Sequence, residues 1–125
     1  MAVVQLLLDK RVDISAQGGF YGNALQAASS EGHMAVVQLL LDNSADVNAQ
    51  GGLYGNALQA ASSTGHVAVV HLLLDKGADV NAQGGKYGNA LQAASEGGHM
   101  AVVQLLLGQG ANVNAQGTFY GSVQQ

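Results

Sequence analysis

The chain contains no cysteine, and its 125 residues hold only four fixed cations, Lys10, Arg11, Lys76 and Lys86. Without cysteine there is no disulfide framework, and no Asn-x-Ser/Thr sequon marks a secreted surface, so a cytoplasmic setting is expected. Phosphate recognition is driven by counterion release at clustered Lys and Arg. Four scattered cations against eight carboxylates, a formal net charge of -4, make nucleic acid and anionic membranes unsuitable partners. Long apolar runs are missing too: stretches such as Leu39-Leu40-Leu41 are far too short to span a bilayer, and no secretory apolar region opens the chain. Aromatics are sparse, so the 48% hydrophobic content is carried largely by Ala, Val and Leu.

What the chain has in abundance is itself. The string Gly51-Gly52-Leu53-Tyr54-Gly55-Asn56-Ala57-Leu58-Gln59-Ala60-Ala61-Ser62 recurs before and after, and Tyr21, Tyr54, Tyr87 and Tyr120 follow one another at intervals of 33 residues. A fixed period of that length signals a stacked array, in which each unit buries its apolar face on its neighbours.

Within a unit, Asn23 is a good helix N-cap, and Gln26 can return the hydrogen bond in a capping-box arrangement. Asn56 with Gln59 and Asn89 with Gln92 repeat the device. The helix that follows is short and Ala-rich, so neighbouring backbones can approach closely, and Gly32, Gly65 and Gly98 suit the left-handed residue that ends it. A second helix is predicted over about 35–42, where Val36, Val37, Leu39, Leu40 and Leu41 fill most of the circumference and demand burial on several sides. Gly77 and Gly110 stop the later copies, whereas Ser44 stands at that position in the first. A left-handed backbone there would cost Ser44 roughly 1 kcal/mol. Residues 45–52 are rich in turn formers and read as an extended loop or β-hairpin.

The pattern Leu-Gln-x-Ala-Ser-x-x-Gly-His-x-x-Val-Val-x-Leu-Leu-Leu-x-x-Gly-Ala-Asp-Val-Asn resembles the ankyrin repeat over almost the whole chain. The resemblance implies an all-α repeat solenoid of helix-turn-helix units with projecting β-hairpins or loops. As a single domain over 1–125, it would comprise repeats at 18–50, 51–83 and 84–116, a partial repeat at 1–17 supplying a second helix and loop, and a partial repeat at 117–125. Such ends are expected of an excised fragment or of an array with frayed termini. The family commonly opens its units with an Asp-x-x-Gly turn and Thr-Pro-Leu-His. Here Gly18-Gly19-Phe20-Tyr21 and Asn23-Ala24-Leu25-Gln26 stand instead, so Ala24 lacks the fixed dihedral of proline. Gln26 is expected to keep part of the inter-repeat hydrogen bonding that the family's His supplies. The Gly-Gly-x-Tyr-Gly-Asn-Ala-Leu-Gln-Ala-Ala variant looks like arrays of fungal multidomain receptors of the NOD-like kind, where the repeats resemble a C-terminal sensor.

Units 18–50 and 51–83 differ at only six positions: Phe20/Leu53, Glu31/Thr64, Met34/Val67, Gln38/His71, Asn43/Lys76 and Ser44/Gly77. Such near-identity is the mark of recent duplication, homogenisation or consensus design alike. The variable positions are the informative ones. Phe20, Leu53, Lys86 and Phe119 share one loop-tip position, and Glu31, Thr64 and Glu96 sit beside them at the first helix's end. The resemblance places both sets on the concave side that grips a partner, and exposed aromatic and charged groups on a rigid frame are hot-spot material. Solvent-exposed drift is the bland account of the same pattern. Tyr21, Tyr54 and Tyr87 belong to a ladder that either binds or, on the favoured account, packs against neighbouring loops.

Catalytic and metal chemistry finds little support. His33, His66 and His99 lie a repeat apart, too far to share a metal, and the spacing of His66 and His71 suits no standard zinc site. A structural role is expected for the first three and a surface position for His71. Asp42 with Asp46 and Asp75 with Asp79 recur because the unit recurs, and nothing builds a pocket to separate their pKa values. The glycine-rich loops lack the Gly-Lys-Ser/Thr ending of a phosphate loop, and no Ser occupies a nucleophile elbow. The expectation is a non-enzymatic module without cofactor or metal, binding a protein or peptide partner through loop tips and the concave helix face. End-to-end self-association through complementary repeat faces is the alternative.

Overall fold

The computed structural model of the protein describes residues 23–114. Their six helices run in three antiparallel pairs: α1 (Ala24–Glu31) with α2 (Met34–Asp42), α3 (Ala57–Thr64) with α4 (Val67–Asp75), and α5 (Ala90–Glu96) with α6 (Met100–Gly108). The described residues hold no strand beyond two isolated antiparallel bridges, Gly51 with Gly55 and Gly84 with Gly88. This is the expected all-α repeat solenoid. The two partial units lie outside the described residues.

The inner helices α1, α3 and α5 stack closely because their facing positions are Ala and Ser. Ala57, Ala60, Ala61, Ala90, Ala93 and Ala94 are all buried. The outer helices pack behind them through Val37, Leu40, Val69, Val70, Leu73, Val102 and Leu106, making one continuous core. On Leu73 alone, full burial contributes about 1.5–3 kcal/mol.

Each inner helix starts as its sequence dictates. Asn23, Asn56 and Asn89 are extended, and their Oδ1 atoms accept from the backbone N–H groups of Gln26, Gln59 and Gln92 at 2.9, 2.8 and 2.8 Å. The expected return leg is missing: Oε1 of Gln26 and of Gln59 accepts no protein hydrogen bond. Gln26 instead turns Nε2 to the Ala49 carbonyl at 3.2 Å, tying α1 to the linker that opens the next repeat.

Gly32 and Gly65 close α1 and α3 in the left-handed conformation, at φ 73° and 77°. The third unit differs from expectation. Gly97 caps α5 in the right-handed region one residue early, and Gly98 then takes the left-handed turn at φ 70°. Ser44 is left-handed at φ 73° where Gly77 and Gly110 stand in later repeats, so the anticipated strain is present.

Repeats are also joined along the linkers. Asn48 donates from Nδ2 to the Gly77 carbonyl at 3.1 Å and accepts the Asp79 N–H at 2.8 Å. Asn81 does the same with Gly110 and Asn112.

Candidate functional site

The loop tips are closed turns. Gly51 N–H donates to the Gly55 carbonyl at 2.8 Å, and Gly84 N–H to the Gly88 carbonyl at 2.9 Å. One tip is bonded to the next: Lys86 N–H donates to the Leu53 carbonyl at 2.8 Å. The backbones touch so closely that a Cβ on Gly85 would lie 2.5 Å from the Tyr54 carbonyl carbon. Only glycine permits that approach. The tips are therefore a rigid ribbon rather than independent loops.

On this ribbon Leu53 is half-buried and Lys86 exposed, with Nζ 5.4 Å from the centre of the Tyr87 ring. Tyr54 and Tyr87 are half-buried. Phe20, Tyr21 and Phe119 lie outside the described residues. At the far ends of the inner helices, Glu31 and Glu96 are exposed and Thr64 is half-buried. The Thr64 hydroxyl donates back to the Ala60 carbonyl at 2.9 Å, which commits its proton.

The structure corrects one spatial expectation. Tip residues and helix-end residues do not sit beside each other, because α3 lies between Leu53 and Thr64. Its eight residues separate the two by about 12 Å at 1.5 Å per residue. There are two parallel rows, one along each end of the inner helices. Between them α3 is buried from Ala57 to Ser62, so the middle of the helix face offers little side chain for contact.

Of the three histidines on the helix-end row, His66 and His99 have the structural role anticipated for them, while His33 is exposed. A Cβ on Gly32 would lie 2.6 Å from His66 Nδ1, and one on Gly65 would lie 2.5 Å from His99 Nδ1. Each ring fills the space above the preceding repeat's turn. His99 also reaches the Ser63 carbonyl from Nε2 at 3.1 Å; a carbonyl only accepts, so that nitrogen carries a proton. His71 is on the surface, 3.2 Å from Asp75. Of the paired carboxylates, Asp46 and Asp79 serve turns, each accepting the N–H two residues on, while Asp42 accepts from Gln38 and Asp75 meets His71 on their own helices. Among the described residues no three His, Asp or Glu groups converge as a metal site, and no helix is long and apolar enough to cross a membrane.

A family model described as ankyrin repeats in three copies matches residues 1–84 and again 53–117. The chain belongs to the ankyrin repeat family. No curated protein matches it. Ankyrin repeats are generally protein–protein interaction modules, and in this ankyrin array two features escaped sequence reasoning. Asn48 and Asn81 staple adjacent repeats, a role hidden behind simple periodicity. Met34, Val67 and Met100 form an exposed row at the start of the outer helices, 41%, 39% and 67% accessible. The pairing of Met34 with Val67 among six differences was the available signal.

Proposed function

We propose that this ankyrin array binds a protein or peptide partner along the loop-tip ribbon, with Leu53 and Lys86 as central contacts and with Phe20 and Phe119, which share their position in the repeat, as further contacts. The half-buried Tyr54 and Tyr87 act with these contacts as the packed side of the ribbon rather than as its reading face. The observation that carries the reading is the backbone bond from Lys86 to Leu53. It fixes the spacing of side chains that vary between otherwise near-identical units. A preformed row gives up little conformational freedom on binding, so more of each contact's energy appears as affinity. The three repeats and their flanking half-units act as one domain, placed in the cytoplasm. The Gly-Gly-x-Tyr-Gly style of the units supports a role as the sensor part of a larger receptor.

Paired baits test this in cytosolic extract: the chain itself, and a variant with Phe20, Leu53, Lys86 and Phe119 replaced by serine, matched for helicity by circular dichroism. Specific bands retained by the first and lost by the second are the expected result. Equal retention on both baits would move the binding site off the tips.

One observation favours end-to-end stacking as a second reading. Leu107 and Val113 are 41% and 40% exposed, whereas their register mates Leu41, Leu74, Val47 and Val80 are half-buried. That face accepts a further repeat, which a second copy of the chain can supply. Sedimentation equilibrium showing mass that rises with concentration supports this reading, and a strict monomer opposes it.

A further inference from the structure

We infer that the helix-end row is a second docking surface, separate from the tips, and that its occupant is a basic partner segment in polyproline II conformation. The inference rests on the array being a protein-binding module, but not on the tips. Met34, Val67 and Met100 occupy one register, the first residue of α2, α4 and α6, and all three are exposed in a chain that buries most of its large apolar groups. Their spacing follows the packing distance of adjacent helices, about 8–10 Å. A polyproline II segment advances about 9 Å per turn of three residues, so every third side chain meets successive repeats. An extended strand, with its two-residue alternation, would send every second such side chain away.

Charge supplies the polarity of the partner. Glu31 and Glu96 are the last residues of the first and third inner helices, α1 and α5, with Glu31 in register with the half-buried Thr64 and Glu96 in register with Ser63, one position earlier. Both are exposed, and neither forms an ion pair among the described residues. They stand at helix C-termini, where the macrodipole disfavours a carboxylate, so their placement does not serve the stability of their own helices. The described cations are elsewhere, Lys86 on the tips and Lys76 after α4. His33 alone among the neighbouring titratable groups is exposed on this row; His66 and His99 are packed over glycine turns. The row thus presents three apolar steps bracketed by two unpaired anions, complementary to apolar side chains bracketed by Arg or Lys.

The test uses a fluorescein-labelled peptide of Leu-Pro-Pro triplets, one leucine per repeat, with an arginine at each end, followed by fluorescence anisotropy. Its counterpart carries glutamates instead of arginines. Saturable, salt-sensitive binding of the arginine peptide to the full chain is expected. The double variant Glu31→Gln with Glu96→Gln should weaken it roughly two- to thirty-fold, the worth of two exposed ion pairs. Its thermal midpoint should be no lower than that of the parent, which separates lost binding from lost structure. Glu31→Lys with Glu96→Lys should transfer preference to the glutamate peptide. Leu53→Ser with Lys86→Ser should bind the arginine peptide unchanged. Equal affinity for the two peptides, no binding by the parent, or loss in the tip variant with retention in the glutamine variant would each overturn the helix-end site. None of these outcomes touches partner capture by the tips, which the paired baits decide independently.

Discussion

Ser44→Gly should stabilise this protein, and the structure sets the size of the effect. Ser44 has φ 73°, is exposed, and its side chain has no hydrogen-bond partner among the described residues. Holding an L-residue in that region costs about 1–2 kcal/mol. Glycine relieves the strain but gives back about 0.4–1 kcal/mol, because its unfolded chain is freer. The net gain is about 0.5–1 kcal/mol. With an unfolding entropy of about 2.1 cal/mol/K per residue over 125 residues, the upper figure raises the midpoint by about 4 °C. The later repeat supplies the mirror experiment. Gly77 has φ 97°, and a Cβ there would meet nothing within 4 Å, so Gly77→Ser tests backbone strain without a packing clash. It should lose about as much as Ser44→Gly gains, and the exchange of both should return close to the parent, since the sites are well separated. Urea unfolding followed at the helical band measures all three; midpoints should move while the slope stays constant. An unchanged or lowered midpoint for Ser44→Gly, with Gly77→Ser neutral, would refute the strain argument.

Two further outcomes follow from the joints between repeats. Gly65→Ala should cost about 2 kcal/mol, since the new Cβ meets both the left-handed backbone and the His99 ring, whereas Gly98→Ala, left-handed but in open space, should cost about 1 kcal/mol; equal losses in urea would remove the histidine from the account. Asn48→Ala should lose about 1–2 kcal/mol by breaking both exposed bonds to the next repeat, and because repeat coupling is a nearest-neighbour property, its urea transition should also broaden.

Much of this architecture was legible because each local signal agreed with the next. The Asn caps, the left-handed glycines and the apolar outer helices recur every 33 residues, so each reading was checked by its copies. What escaped was whatever depends on geometry between copies. Periodicity places Leu53 and Thr64 in one unit without saying that a buried helix separates them. It marks His66 and His99 as repeated without showing that each ring covers the glycine of the preceding turn. Glu96 and Gly97 shift the third unit, because Gly97 ends α5 in the right-handed region and leaves the left-handed turn to Gly98. At Gln26 the capping box lacks its return leg, and the amide donates to the Ala49 carbonyl, a residue that no local pattern brings near.

The central claim is that partner binding runs along the loop tips. Amide hydrogen exchange on the chain, alone and with a captured partner bound, tests it most directly. The account predicts added protection concentrated at 51–55 and 84–88, with the buried amides of α3 unchanged. Protection confined to the outer helices α2, α4 and α6, with the tips exchanging as in the free chain, would contradict it.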